Sequence, residues 1–377
     1  MLEPRERLDG LTSLRFVAAA MVVLVHSSTL FDLTLGPTPA YALNTAVSFF
    51  LVLSGFLLTY NNSQLEGRTA RRRFWLARFA RVWPLYAAVL CFCFIARPEG
   101  LFLPQIKPVL ATVQSVFLLQ AWVPISGYMS GVNPPTWTLS IEAFFYLLFP
   151  LLIVLVRRRP WLVLVGAVVV SVAGPWIVQA TTPLAARDFH EVNWYVVGHF
   201  FPTSRLAEFV LGMVAAHWWS SRRRRVLAAP ADASIAELMV VAALAFALFG
   251  VAQMPAQADL VGSGVADWLT QVAIAPLYAL LIIVVAGGKG HLARALNRPL
   301  LIRLGEMSFA IYLLHSPMYG VVTRWGVAYG WRTPFVGVVY VAVLLALGWL
   351  AWRFVEVPLR AHLLRRGAER PVPEPAA

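Results

Sequence analysis

Ten apolar segments of membrane-spanning length constrain this sequence more than any other feature. A helix needs about 20 apolar residues to cross the hydrocarbon core of a bilayer, with some latitude for tilt. The sequence therefore predicts an all-α integral membrane protein, a bundle of about ten transmembrane helices. The predicted spans lie near residues 11–31, 42–60, 79–96, 138–156, 161–179, 203–219, 236–253, 268–286, 305–323 and 335–352.

Composition supports this class. Of the 377 residues, 59% are hydrophobic and 13% are charged, whereas a soluble domain is about 25% charged. The net charge of +13 does not indicate a nucleic-acid partner, because the basic residues form short clusters between apolar segments. Such clusters are typical of cytoplasmic loops. We therefore expect a multi-pass protein of the cell membrane, in bacteria the inner membrane.

The arginine clusters also predict an orientation. With the N-terminus inside, most of the 31 Lys and Arg residues fall in inside segments, so both termini are expected to be cytoplasmic. An eleventh span would place the later arginine clusters on the outer side of the membrane. We therefore interpret the apolar stretch at 108–123 as interfacial or re-entrant. The Pro- and Ala-rich tail, residues 367–377, is expected to be disordered.

Arg15 and His26 are ionisable residues inside the first predicted span. An arginine at a helix centre costs about 2.5–3.5 kcal/mol even on insertion scales, and such residues mark function more often than not. The two share a helix face because they are 11 residues apart, yet they lie about 16 Å apart in depth. Snorkelling to lipid phosphates remains open for Arg15, and a backbone hydrogen bond remains open for His26.

Arg78 and Arg81 share a face where the third predicted span begins, interleaved with Phe79, Trp83 and Tyr86. Arginine forks beside aromatic rings suit a phosphate-bearing ligand with a ring to stack. The alternative is a positive-inside cluster that contacts anionic lipid.

Four further polar residues lie near the predicted outer ends of their helices. Glu142 and Tyr146 are four residues apart, and the carboxylate suits a general base or a partner for a histidine. A glutamate favoured by the dipole at a helix start is the alternative. Arg205 and Glu208 are three residues apart; they either neutralise each other or orient a sugar.

Tyr312 and His315 share a face in the middle of the ninth predicted span. A second embedded histidine favours a polar internal cavity, with an inter-helix hydrogen bond as the alternative. The sequence contains no HExxH, Walker or paired CxxC motif, so a metal site has no motif support.

Seven motifs, in this order, carry a resemblance to a known family. They are LTSLRFVAAAMVVLVH, SFFLVLSGFLLT, RRRFWLARFARVWPLY, TWTLSIEAFFYLLFPLL, SRLAEFVLGM, LGEMSFAIYLLHSPM and FVEVPLR. Any one of them is weak, but seven in order are specific. The chain resembles acyltransferase family 3, the membrane-bound O-acyltransferases that modify polysaccharides, peptidoglycan, lipid-linked sugars and some antibiotics.

The resemblance carries the family's functional residues onto this sequence at matching positions. The arginine and histidine of the first helix fall on Arg15 and His26, and the paired arginines fall on Arg78 and Arg81. The resemblance implies an acyl-CoA co-substrate, most often acetyl-CoA, with no permanently bound cofactor. It also implies a hydroxyl acceptor on a sugar, a cell-envelope glycan or a related molecule.

The family's serine-x-glutamate fragment falls on Ser140 and Glu142. A second acidic residue and a glutamine often follow, but Ala143 and Phe144 stand there, so only Glu142 can carry an acidic role. The late glutamate-x-proline motif begins at Glu356 and is expected to close the last helix. Residues 1–366 are expected to form one transmembrane acyltransferase domain without a fused extracytoplasmic esterase-like domain, so a separate transfer partner remains open.

The expected mechanism assigns a role to each candidate. Arginines 15, 78 and 81 hold the CoA phosphates, and His26 acts as general base or covalent acyl carrier. Glu142 orients His26, while Tyr312 and His315 donate hydrogen bonds to the oxyanion. The expected acceptor-binding residues are Ser140, Arg205 and Glu208.

The competing hypothesis is a secondary transporter or lipid-linked sugar flippase that uses the buried His, Glu and Arg groups as a proton relay. The lack of an evident internal repeat counts against it. The loop at 180–200, which carries Arg187, Asp188, His190, Glu191 and Trp194, has a composition suited to sugar recognition, but a solvated loop has the same composition.

Overall fold

A computed structural model shows a helical bundle. The only β contact among the described residues is an isolated antiparallel bridge between Ile125 and Val192. The structure describes residues 7–31, 42–63, 65–96, 107–129, 131–181, 192, 194–222, 230–253, 263–331 and 333–369.

Long helices joined by short ones make up the N-terminal half. They are α1 (Asp9–Ser27), α2 (Ala46–Asn61), α3 (Gly67–Ala96), α4 (Pro108–Val116), α5 (Ser126–Met129), α6 (Trp137–Arg158), α7 (Pro160–Thr181) and α8 (Trp194–Phe200).

The C-terminal half follows the same pattern and includes a π-helical segment, Trp352–Glu356, before the last helix. Its helices are α9 (Leu206–Arg222), α10 (Pro230–Gln253), α11 (Ser263–Val272), α12 (Ala275–Ala286), α13 (His291–Leu296), α14 (Pro299–Ala328), α15 (Thr333–Ala351) and α16 (Val357–Glu369).

Eight helices of the described chain are long and apolar enough to cross a membrane, where the sequence predicted about ten. The predicted spans at 203–219 and 305–323 are also helical, but they do not meet that criterion. Helix α9 has 17 residues, and α14 carries Glu306, Tyr312 and His315 among its apolar residues. The all-helical membrane architecture is thus confirmed, although α9 and α14 fall outside the criterion for a membrane-spanning helix.

The stretch predicted to be interfacial or re-entrant contains α4, which has nine residues. At 1.5 Å per residue such a helix is about 13 Å long, too short to cross a bilayer. At the other end of the chain, α16 continues to Glu369, past the predicted domain boundary at residue 366. Residues 370–377 of the predicted tail lie outside the described residues.

Two close helix contacts position the interior of the bundle. A Cβ atom at Gly305 of α14 would collide with the Thr12 carbonyl of α1, and a Cβ at Gly212 of α9 would collide with the Val52 carbonyl of α2. Small residues permit such approach between membrane helices. Helix α1 therefore lies directly against α14, and Ser13 anchors it further by a 2.6 Å hydrogen bond to the Leu296 carbonyl.

Candidate active site

The two embedded histidines meet. Nδ1 of His26, at the end of α1, lies 3.0 Å from Nε2 of His315 on α14. The two rings are nearly parallel, with an interplanar angle of 5°. His315 is completely buried, whereas His26 is exposed. These residues, here called the histidine pair, are 289 positions apart in the sequence.

The surroundings of His315 determine the proton positions of the pair. Its Nδ1 lies 2.5 Å from the Tyr312 carbonyl, which can only accept, so Nδ1 carries the hydrogen. In a neutral imidazole, Nε2 of His315 is then the acceptor, and Nδ1 of His26 must donate to it. Nε2 of His26 is left with a free lone pair, which is the arrangement that a general base requires.

Neighbouring helices hold the histidine pair in place. The Tyr340 hydroxyl of α15 donates to the His315 carbonyl at 3.1 Å. The Tyr312 hydroxyl donates to the Pro135 carbonyl at 2.9 Å and lies 3.0 Å from the Thr138 hydroxyl at the start of α6. Four helices therefore converge on this end of the site, called the histidine end below.

The structure assigns His315 a different role from the one expected. Its Nδ1 is bonded to the Tyr312 carbonyl and its Nε2 to His26, so neither nitrogen is available to an oxyanion. Tyr312 already donates its hydroxyl hydrogen to Pro135. In this geometry the contact with Nε2 of His315 favours the tautomer of His26 that carries its hydrogen on Nδ1.

Two linked cavities connect the histidine end to the opposite end of α1. The inner cavity, about 130 Å³, is mostly apolar and reaches from the arginines to Tyr312, Thr138 and Ser308. The outer cavity, about 640 Å³, is open and polar. Five side chains line both cavities and mark their junction: the apolar Leu57 and Leu58, and the arginines Arg15, Arg78 and Arg81. The structure thus brings together the three arginines expected to bind the donor, while their role stays a prediction.

The arginines of the junction differ in their partners. Arg81 forms an ion pair with Glu356 of the π-helical segment and places its guanidinium 5.1 Å from the Phe309 ring centroid. Arg78 lies about 6 Å from the ring centroids of Phe74 and Tyr146. Its buried Nε has no hydrogen-bond partner in the part of the chain that the structure describes. Such a donor suits an anionic ligand.

Glu142 does not contact the histidine pair. It lines the inner cavity with the arginines and accepts a 2.7 Å hydrogen bond from Tyr146. Glu142 lies away from the histidine pair because of its position along α6. This helix begins at the histidine end, where Thr138 contacts Tyr312. Four residues of helix carry Glu142 about 6 Å further toward the arginines. This corrects the expectation that Glu142 orients His26.

The three expected acceptor-binding residues lie away from both cavities. Arg205 and Glu208 are completely buried and joined by contacts of 2.8 and 2.9 Å, and Arg205 also donates to Ser48 and to the His199 carbonyl. The hydroxyl of Ser140 accepts a 3.4 Å hydrogen bond from the backbone N–H of Ala121. None of the three lines the inner or the outer cavity.

The sequence did not predict several residues that contact the candidate site residues from distant helices. They include Thr138, Tyr340 and the ion pair of Glu356 with Arg81. The spacing of Glu356 and Arg360 at i, i+4 was a local signal, but only the fold shows that both line the outer cavity. The predicted sugar-recognition residues 187, 188, 190 and 191 lie outside the described residues, as does the side chain of Trp194.

No cluster of three His, Cys, Asp or Glu residues suited to a metal ion occurs among the residues that the structure describes. The inner cavity has guanidinium groups at one end and, at the other, Tyr312, whose ring lies 5.5 Å from that of His315; neither histidine lines the cavity itself. An anionic molecule with a long uncharged arm fits such a layout.

Comparison with known proteins identifies the family. The sequence model of acyltransferase family 3, described as an acyltransferase domain, matches residues 8–353. Acyltransferase MdmB of Streptomyces mycarofaciens is 30% identical over 404 aligned residues, which cover 98% of this chain and 96% of MdmB. No solved structure matches the chain.

Two other relatives are more distant. The exopolysaccharide production protein ExoZ of Rhizobium meliloti (strain 1021) is 27% identical, over 86% of this chain and 91% of ExoZ. The O-acetyltransferase OatA of Staphylococcus aureus (strain NCTC 8325 / PS 47) is 26% identical, over 96% of this chain but only 58% of OatA. With the helical architecture and the linked cavities, these matches show that the chain is a multi-pass membrane acyltransferase and belongs to acyltransferase family 3.

Proposed function

We propose that this acyltransferase moves an acyl group, in the simplest case acetyl, from acyl-CoA to a hydroxyl of a sugar, a cell-envelope glycan or a related acceptor. The observation that carries the proposal is the pair of linked cavities, which joins an arginine-lined mouth to the neighbourhood of the histidine pair. The names of ExoZ and OatA support a glycan acceptor and an acetyl donor.

The donor binds with its phosphates at Arg15, Arg78 and Arg81. Guanidinium groups bind phosphate oxygens through paired hydrogen bonds, and the partly buried site strengthens them. The pantetheine arm extends along the apolar inner cavity and places the thioester beside Tyr312 and the histidine pair. The end of the site that carries Arg15, Arg78 and Arg81, called the arginine end below, faces the cytoplasm, where acyl-CoA is made. His26 lies in the outer half of the membrane.

The transfer then follows from the tautomer of His26. Its Nε2 takes the proton of the acceptor hydroxyl while the hydroxyl oxygen attacks the thioester carbonyl. The C–S bond breaks, and the sulfur leaves with the proton that His26 held, which gives free CoA and an ester. His315 holds His26 in this tautomer and disperses the positive charge that forms on it.

A covalent route through the same nitrogen has the same products. In that route Nε2 of His26 attacks the thioester, and the acyl group passes from the imidazole to the acceptor. The two routes differ when acceptor is absent, since only the covalent route releases about one equivalent of CoA per protein in a burst.

The test follows release of free CoA by purified protein in detergent, with labelled acetyl-CoA and candidate glycan acceptors. We expect release by the wild type and loss of it in His26→Ala, which should still bind CoA in equilibrium titration. A transporter or flippase consumes no donor in detergent, where there is no gradient. Wild-type turnover that survives in His26→Ala would overturn the mechanism, and an intact donor with every acceptor would overturn the proposed function.

A further inference from the structure

The last helical segment forms one wall of the outer cavity. Glu356, Arg360 and Leu364 all line it, and their spacing of four residues places them on one helix face. The buried Glu356 is tied to Arg81 of α3, so this face is fixed against the donor site. Arg360 lies one turn further out and is exposed.

The two cavities give the arginines an order of depth. Arg15, Arg78 and Arg81 line both cavities, whereas Arg360 lines only the outer one. A donor whose thioester reaches Tyr312 through the inner cavity has its first phosphates at the junction. The part of the donor beyond those phosphates then occupies the outer cavity, beside Arg360.

The charges of the outer cavity leave Arg360 available. Five arginines and three carboxylates line it. All three carboxylates are engaged, Asp9 and Glu306 with Arg7 and Glu356 with Arg81. Arg360 forms no salt bridge with any carboxylate of the described residues, and it lies near enough to repel Arg15 and Arg81. An additional phosphate at this place would relieve that repulsion.

We propose that Arg360 forms a second phosphate subsite, which binds the 3′-phosphate at the adenosine end of the acyl-CoA donor. This inference rests on the proposed function, because it extends the same donor site. A phosphate monoester carries up to two negative charges near neutral pH, and the guanidinium fork matches its oxygens. The subsite distinguishes CoA from donors that lack this phosphate.

The experiment compares acetyl-CoA with acetyl-dephospho-CoA, which differs only in lacking the 3′-phosphate. Both donors are given to the wild type, to Arg360→Ala and to Arg365→Ala, and KM is measured from CoA or dephospho-CoA release. Arg365 is the matched control, because it is exposed on the same helix but does not line the cavity. Equilibrium titration of His26→Ala, with and without Arg360→Ala, gives the same comparison without turnover.

Removal of one charge-assisted phosphate contact corresponds to about a tenfold loss of affinity. We expect KM to be about tenfold higher for acetyl-dephospho-CoA in the wild type and in Arg365→Ala. In Arg360→Ala the two donors should have equal KM values, because only acetyl-CoA loses a contact. The Kd values of the His26→Ala proteins should follow the same pattern.

Two results would overturn the subsite while leaving the proposed function intact. One is a wild type that uses both donors with equal KM. The other is an Arg360→Ala variant that keeps the wild-type preference or loses affinity for both donors equally. A protein that consumes neither donor would instead contradict the proposed function and, with it, this inference.

Discussion

The histidine end and the arginine end of the site are built in opposite ways. At the histidine end, a fully buried His315 has both ring nitrogens bonded, and four helices hold it in one arrangement. At the arginine end, an open cavity of about 640 Å³ carries more cations than carboxylates. The first is suited to fixing one proton on one atom, and the second to binding a flexible anion.

Under the proposed mechanism, this difference means that donor binding and acyl transfer take place at opposite ends of the site. Substitutions at the histidine end should lower kcat, whereas substitutions at the arginine end should raise KM for the donor. Helix α1 joins the two ends, since it carries Arg15 near its start and His26 near its finish. The substitutions below separate the ends, or break the link between them.

Gly305→Val should have the largest effect, because it breaks the alignment of both ends. Its side chain would collide with the Thr12 carbonyl and push α14 away from α1, so His315 could no longer reach His26. We expect little folded protein by size-exclusion chromatography and no donor consumption. Gly166→Val is the matched control, since a Cβ there meets nothing within 4 Å. Normal yield and turnover in Gly305→Val would contradict the close contact.

His315→Ala should affect the histidine end alone. Without its acceptor, His26 loses the partner that fixes its tautomer, and a positioned proton acceptor contributes about 10²–10⁴-fold to rate. We expect kcat to fall about 100-fold. The KM for acetyl-CoA should stay near the wild-type value. A rise in KM with unchanged kcat would show that His315 acts in donor binding instead.

Arg78→Ala should affect the arginine end alone. Loss of one guanidinium–phosphate contact should raise KM for acetyl-CoA about tenfold with little change in kcat. Arg72→Ala is the control on the same helix, because Arg72 is exposed and lines neither cavity. Equal effects of the two substitutions on KM would mean that the membrane-surface charge, and not the junction, governs donor affinity.

Tyr312→Phe should have the smallest effect. It removes the hydroxyl that bonds to Pro135 and contacts Thr138, while its ring remains beside His315. One neutral hydrogen bond contributes about 1 kcal/mol, so kcat should fall about fivefold. A loss as large as that of His26→Ala would restore the hypothesis that Tyr312 stabilises the oxyanion directly.

The arginine end was largely predictable from the sequence because its signals are local. Arg78 and Arg81 share a helix face through a spacing of three, and clustered arginines indicate the start of a span. The membrane class follows from segment length alone. The helix that carries His315 shows where this reasoning weakens, since polar residues such as Glu306 and His315 interrupt its apolar sequence and it does not meet the criterion for a span.

The histidine end was not predictable in its details. The pairing of His26 with His315 joins positions 289 residues apart, so only the packing of α14 on α1 reveals it. The role expected of Glu142 depended on its depth, and four residues of helical rise placed it with the arginines. Arg205 and Glu208 are neighbours in sequence, yet nothing in their spacing separates a buried structural pair from an acceptor site.

The most direct test of the account is a cryo-electron microscopy structure of the protein with a non-transferable acyl-CoA analogue, such as a thioether in place of the thioester. The account predicts phosphates within hydrogen-bond distance of Arg15, Arg78 or Arg81, and the acyl carbon about 3–3.5 Å from the reacting atom. That atom is the acceptor oxygen next to Nε2 of His26, or Nε2 itself. An analogue bound with its phosphates away from this junction, or with its acyl group remote from the histidine pair, would contradict it.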